Sequence, residues 1–412
     1  MRGLEPAARR TFHLELLRAP AVGILETAFA TFSILFLVKV FEAGSTPKAL
    51  LLSSGRAGFI ASILIVPLLY RSGLRTPTLV ALIHSVGGLG FLGASVFHDS
   101  LWGVAGGLSL GLFSFTLQTP LFAEIYRVNY PDEFRGRLFS KAGLVRTLAT
   151  VVFSFIGGKL LSHDLSLYRL LLFAFAFSSF YSAILFFRIP FGRENGGSKT
   201  NPPPRRPLFS AFRWLKEDRE FRVLIASWMV LGIGNLMAVS LFVDYLANAD
   251  IGLGLTAGMV AILTGVVAPL FKLATTYSWG DLFDRLDFYW LRILLNLVLA
   301  VMILCFFLGG TIGIWVAMAL HGVGMAGGNV MWSLWVTKLA PPDRVSEYMS
   351  VHTFMTGLRG TATPFLAYFL LARLGVSWFA ITCAVLVVVA ALMLLPRALR
   401  GPTEKPTLSK KG

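Results

Sequence analysis

The segment GDLFDRLD, residues 280–287, sets three carboxylates and one arginine in eight positions, directly after a run, 254–279, whose only charge is Lys272. So sharp an edge marks the point where an apolar segment leaves an apolar solvent. The rest of the chain repeats the pattern. Of 412 residues, 56% are hydrophobic and only 14% charged, far outside the usage of soluble proteins. Apolar windows follow one another at 22–41, 49–69, 77–97, 101–123, 143–161, 167–187, 223–244, 254–278, 288–308, 311–333, 351–372 and 375–396. Each spans ~30 Å of hydrocarbon at ~1.5 Å per residue, and only a helix satisfies its own backbone there. The expected fold is an all-α polytopic membrane protein with twelve transmembrane helices. The first span is longer than a signal-peptide core and lacks a convincing A-x-A cleavage site, so it is taken as retained.

Lysine and arginine accumulate on the cytoplasmic side of short loops. With the N-terminus inside, inner segments hold 27 of the 37 basic residues and outer segments hold four: Lys48, Lys159, Arg169 and Arg373. Both termini are expected in the cytoplasm, and in a bacterium the plasma (inner) membrane would hold the protein. The net charge of +16 then needs no nucleic acid. It reflects the positive-inside bias, with anionic membrane lipids as partners of the tails. Five regions follow: a cytoplasmic segment 1–21, six spans over 22–187, a basic linker 188–222, six spans over 223–396 and a basic tail 397–412. Within the linker, 208–220 reads either as an amphipathic helix on the inner leaflet, through Phe209, Phe212, Trp214 and Leu215, or as a solvated connector. Cys305 and Cys383 both fall in spans, so neither a disulfide nor a metal is indicated, and no cofactor is expected.

The halves echo one another. YRSGLR (70–75) follows the second span as DRLD (284–287) follows the eighth, with Arg71 and Arg285 offset by 214; YPDEFRGRLFS (130–140) and APPDRVSEYMS (340–350) precede the fifth and eleventh at a similar offset. On these residues the chain resembles the major facilitator superfamily of secondary transporters. That family carries G-x-L-x-D-R-x-G-R-R after helices 2 and 8. Gly280, Leu282, Asp284 and Arg285 keep its front part, whereas Leu68, Arg71, Gly73 and Arg75 keep pieces of it and Tyr70 replaces the first-half acid. The RGR at 135–137, ahead of Gly157 and Gly158, also looks like the family's loop between helices 4 and 5. The resemblance implies two pseudo-symmetric six-helix bundles. It also implies an inner gate in which Asp284, with Gly280, Arg285, Arg71 and Arg75, meets the positive end of helix 5, taken to start near Gly143. The alternative for 280–287 is a solvated turn.

Ionisable groups at membrane depth are costly and are default functional candidates. Arg56 and Lys272 precede Arg71 and Arg285 by similar intervals, and Arg146 and Arg359 form a second near-symmetric pair. Glu26 is the clear acid on the cavity helices that the resemblance implies, and it is the candidate proton-coupling group; a static ion pair or contact with water is the alternative. Gln118, Asn235, His321 and Asn329 are uncharged candidates for orienting a polar substrate, while Asp244 reads as an end residue or outer-gate group. Glycines 322, 324, 327 and 328 read as close helix packing.

No enzyme is expected. Neither H-E-x-x-H nor G-x-x-x-x-G-K-[ST] occurs, and GLSLG at 107–111, the one G-x-S-x-G match, lies inside an apolar span. The resemblance implies a monomer that moves a small-molecule substrate by alternating access. Four cations against one acid favour an organic anion, carried by exchange or with protons. The alternative is a proton-driven exporter of lipophilic compounds or a neutral-solute symporter. For the exporter, the Gly-Pro expected before Gly157 is missing, because Phe155 and Ile156 stand there.

Overall fold

The computed structural model describes residues 5–191, 210–341 and 344–400, which are helical and contain no strand. The first six helices are α1 (Pro6–Lys39), α2 (Ser45–Tyr70), α3 (Thr76–Val96), α4 (Leu101–Asn129), α5 (Asp132–His163) and α6 (Tyr168–Phe187). The second six begin with α7 (Arg219–Ala247), α8 (Ala257–Arg285), α9 (Phe288–Leu308) and α10 (Gly310–Leu339). A last helical run, Val345–Ala398, is broken at Gly375, whose φ of 69° is a left-handed conformation that suits glycine. It therefore forms two spans, α11 (345–374) and α12 (376–398).

Each half packs on itself: α1 on α5 and α6, α3 on α4 and α6, α9 and α7 on the α11–α12 run, and α8 on α10. The halves meet chiefly where α2 lies on α11 and α5 on α8. Small residues permit the second approach. A side chain on Gly158 would come within 2.6 Å of Ala261 Cβ, and one on Gly265 within 2.2 Å of Ser154 Oγ.

Helix ends depart from the apolar windows in physically legible ways. α1 starts at Pro6 rather than 22, because Phe12 and Leu14 are buried and the buried Glu15 accepts from Arg18 at 2.9 Å and from the Tyr126 hydroxyl at 2.9 Å. α5 starts at Asp132, not near Gly143, so the RGR sequence is helical. Of the linker, 192–209 lie outside the described residues. Ser210–Arg213 and Trp214–Glu217 are single turns, and Phe212 and Trp214 pack against Phe354 and Tyr348 of α11. Those two side chains thus serve the bundle rather than a leaflet.

Three irregularities fall inside the apolar windows. α4 breaks at Gln118 ahead of Pro120. α1 and α8 each contain one π turn, Ala28–Phe32 and Leu263–Val267, and the Thr31 and Thr264 hydroxyls of those turns are 2.8 Å apart across the boundary between halves. Such wide turns are frequent at functional sites.

Candidate functional site

Between the halves lies a cavity of about 530 Å³, bordered by α1 around its π turn, the middle of α2 and stretches of α4, α5 and α7 to α11. Among the described residues its lining includes Arg56, Lys272, Arg292 and Arg359 against one carboxylate, Glu26.

Two glycines make room for these cations. A Cβ on Gly360 would sit 3.1 Å from the Arg56 side chain, and one on Gly232 would sit 2.3 Å from Arg359 Nε. Arg56 also lies 5.0 Å over the Phe29 ring, which emerges from the α1 π turn. Arg359 donates from Nη1 to the carbonyl oxygen of Trp228, while its Nε is buried without a partner. Among the described residues no carboxylate pairs with Arg56, Arg292 or Arg359.

The opposite wall is compensated. Glu26 accepts an ion pair from Arg146 Nε at 3.2 Å, and the Thr150 hydroxyl lies 3.5 Å from its second oxygen. Lys272 is within electrostatic reach of Glu26, Arg146 and His321. His321, Asn235 and Asn329 also line the cavity, and Asn235 Oδ1 has no partner. Gln118 does not join them: it is fully buried at the α4 break, donating from Nε2 to the Phe115 carbonyl at 3.2 Å.

One face of the cavity is sealed. Lys48 in the first turn of α2 and Asp244 in the last turn of α7 form an ion pair at 2.5 Å with side chains 5% and 0% exposed, and Lys48 lies 5.3 Å over the Tyr368 ring of α11. Nearby, the Gly258 N–H donates to Ser162 Oγ at 2.7 Å, and Ser53 Oγ donates to the Thr361 carbonyl at 2.7 Å. All these contacts join the two halves. The other face carries the described ends at Glu5 and Arg400 and loops rich in lysine and arginine. There, side chains added at Gly136, Gly143 and Gly280 would meet nothing within 4 Å.

On that basic face, the three carboxylates of 280–287 have three different roles. Asp281 pairs with Arg285 at 2.8 Å, Asp287 caps α9 through the Tyr289 N–H at 2.9 Å, and Asp284 is exposed. Arg71 and Arg75 are exposed as well, and the Tyr70 hydroxyl donates to Glu124 of α4, keeping that contact within its own half.

Sequence reasoning missed Arg292 because it lies one turn from the start of an apolar window, on a helix not expected to face the cavity. Its signal was present: the one charged residue in the helix from Phe288 to Leu308.

The comparisons agree with this architecture. No curated protein matches the sequence. Among solved structures, the nucleoside transporter NupG is 13% identical, with 97% of this chain and 100% of that chain covered at a TM-score of 0.66. A bacterial homologue of the human lysosomal transporter Spinster, inward-facing and unoccupied, is 16% identical over 98% and 100% at a TM-score of 0.65. A POT family transporter in complex with 5-aminolevulinic acid is 15% identical over 97% and 97% at a TM-score of 0.69. The model of the Major Facilitator Superfamily matches residues 19–358 and again 263–412. With two six-helix halves closing on a central charged cavity, the chain belongs to the major facilitator superfamily of membrane transporters.

Proposed function

We propose that the protein is a secondary transporter that moves a small organic anion by alternating access, with the basic face in the cytoplasm and the present state open toward it. The observation that carries this reading is the cavity charge: Arg56, Lys272, Arg292 and Arg359 line it against Glu26 alone. Buried cations without counter-charges are costly, so an anionic ligand is favoured there and a cationic one is repelled. The fold does not choose a substrate, since neighbours of similar TM-score are named for nucleosides and for xylose.

Glu26 is the proposed proton-coupling group. The Arg146 pair beside the α1 π turn gives it a partner to lose when protonated. Neutral-solute transport is the second reading, favoured by Asn235 and Asn329 beside Phe29 and Trp332 in the lining.

The test is a thermal-shift panel on the purified protein. Small organic anions should stabilise it as RT ln(1 + [L]/Kd), about 2.7 kcal/mol at a hundredfold excess over Kd, and Arg56→Gln should weaken the response. Stabilisation by neutral sugars or cations, with none by anions, overturns the organic-anion reading.

A further inference from the structure

Within the organic-anion reading, on which it rests, we infer that the substrate's acidic group is a dianionic oxyanion of the phosphate-monoester type. It is held on one wall of the cavity, by α9 and α11 of the second half, rather than bridged between Arg56 and Lys272.

The inference begins with Arg292. Its residue is only 5% exposed, yet it borders the cavity from α9. Its charge lies 5.0 Å over the Trp228 ring, its one described polar contact is a weak one from Nη1 to the Met331 sulfur at 3.8 Å, and its Nε has no acceptor. Arg359 converges on the same tryptophan through the Trp228 carbonyl, and its Nε too lacks an acceptor. Arg292 and Arg359 are near enough to feel each other's charge.

His352 stands behind this wall, outside the cavity lining. It lies on α11 two turns before Arg359 and stacks on Trp228 at 4.0 Å and 6°. An indole N–H only donates, so the 3.1 Å bond from Trp335 Nε1 makes His352 Nδ1 an acceptor. The neutral ring then carries its proton on Nε2, which is buried and unpartnered.

Two buried guanidinium N–H groups without acceptors thus flank one indole, and among the described residues no carboxylate pairs with either arginine. A monocarboxylate would compensate one charge and leave the second buried. A phosphate monoester brings two charges on one group, matching the two guanidinium forks. Trp332 and Leu299, which also line the cavity, give its organic part an apolar surface. Lys272 belongs to the wall where Glu26 and Arg146 already offset charge, so it contributes less.

The same phosphate chemistry occurs in free phosphate, in soluble esters and in lipid headgroups, and titration calorimetry on the full chain in neutral detergent separates them. The probes are inorganic phosphate, phenyl phosphate, methyl phenyl phosphate, benzoate and lysophosphatidate. Phenyl phosphate should bind on the order of tenfold tighter than benzoate or methyl phenyl phosphate, which carry one charge each. Arg292→Gln should abolish that preference and Arg292→Lys should not restore it, lacking the planar fork. Preference for inorganic phosphate over its ester, or for lysophosphatidate over phenyl phosphate, would assign the source as the free ion or the bilayer, with the dianion site upheld. Equal binding of phenyl phosphate and methyl phenyl phosphate by the unmodified protein overturns the inference while leaving the organic-anion reading intact, whatever Arg292→Gln does to folding. Binding of no anion at all removes both.

Discussion

At the scale of single residues, the cavity depends on what is absent as much as on what is present. Gly232 leaves the space that the Arg359 guanidinium fills, since a Cβ there would meet it at 2.3 Å. Gly232→Ala should therefore displace Arg359 and weaken anion binding on the order of tenfold, the loss expected for one charge-assisted hydrogen bond. Titration of the variant against the parent checks this, and an unchanged Kd would mean that Arg359 is not a ligand. Residue-level legibility was uneven. Arg56, Lys272 and Arg359 could be singled out because a charge in mid-span is costly wherever it points. Arg292 could not, because a charge one turn from a helix end ordinarily reaches water. Gln118 was misleading for the converse reason: a polar residue on an expected cavity helix can be absorbed by a local break, and nothing in its neighbours announces which way it faces.

At the scale of helices, the two faces of the molecule are closed by different means. The sealed face rests on Lys48–Asp244, a buried pair between α2 and α7. Removing one partner strands a charge, a penalty of about 3–5 kcal/mol. Asp244→Asn should thus move the population toward a state open at that face, read by spin-label distances between the ends of α2 and α7 next to the pair. An unmoved distribution would reduce the pair to packing. The basic face works the other way. Among the described residues Asp284 has no ion-pair partner, so Asp284→Asn costs this state nothing, and it weakens only a closed state in which Asp284 meets the start of α5. The expected shift is toward the open-basic state by about 0.3–2 kcal/mol. Labels on the adjoining ends of α5 and α8 report it. The existence of the helices was legible in twenty-residue apolar windows, whereas their extensions were not. The early turns of α1 and α5 are held outside the apolar windows by packing of Phe12 with Tyr130 and Leu138 and, in α1, by the Glu15–Arg18 pair, and the π turns of α1 and α8 leave no trace in hydropathy.

At the scale of the whole molecule, transport requires that events at one wall reach the other. Glu26 lies just before the α1 π turn, whose Thr31 touches Thr264 in the π turn of α8, so its pairing with Arg146 adjoins the seam between the halves. Glu26→Gln is expected to abolish accumulation driven by an imposed pH gradient while sparing exchange between loaded states, measured in reconstituted vesicles. Full gradient-driven uptake by the variant would leave Glu26 a structural role and point to exchange without protons. The two-bundle plan was legible from repeated markers at a constant offset. Which wall of the cavity is compensated was not, because a sequence gives the number of cations but not which of them share a carboxylate.

The buried Lys48–Asp244 pair has a thermal consequence. The hydration of separated ions becomes less favourable as temperature rises, so an ion pair already stripped of water loses less on heating than the same two charges released into solvent. Warming should then tighten the seal and cooling should loosen it, the same sign that apolar contacts show when they weaken on cooling. Opening would accordingly be exothermic, and spin-label distances across the sealed face, followed through a temperature series, should show the open fraction falling with heat.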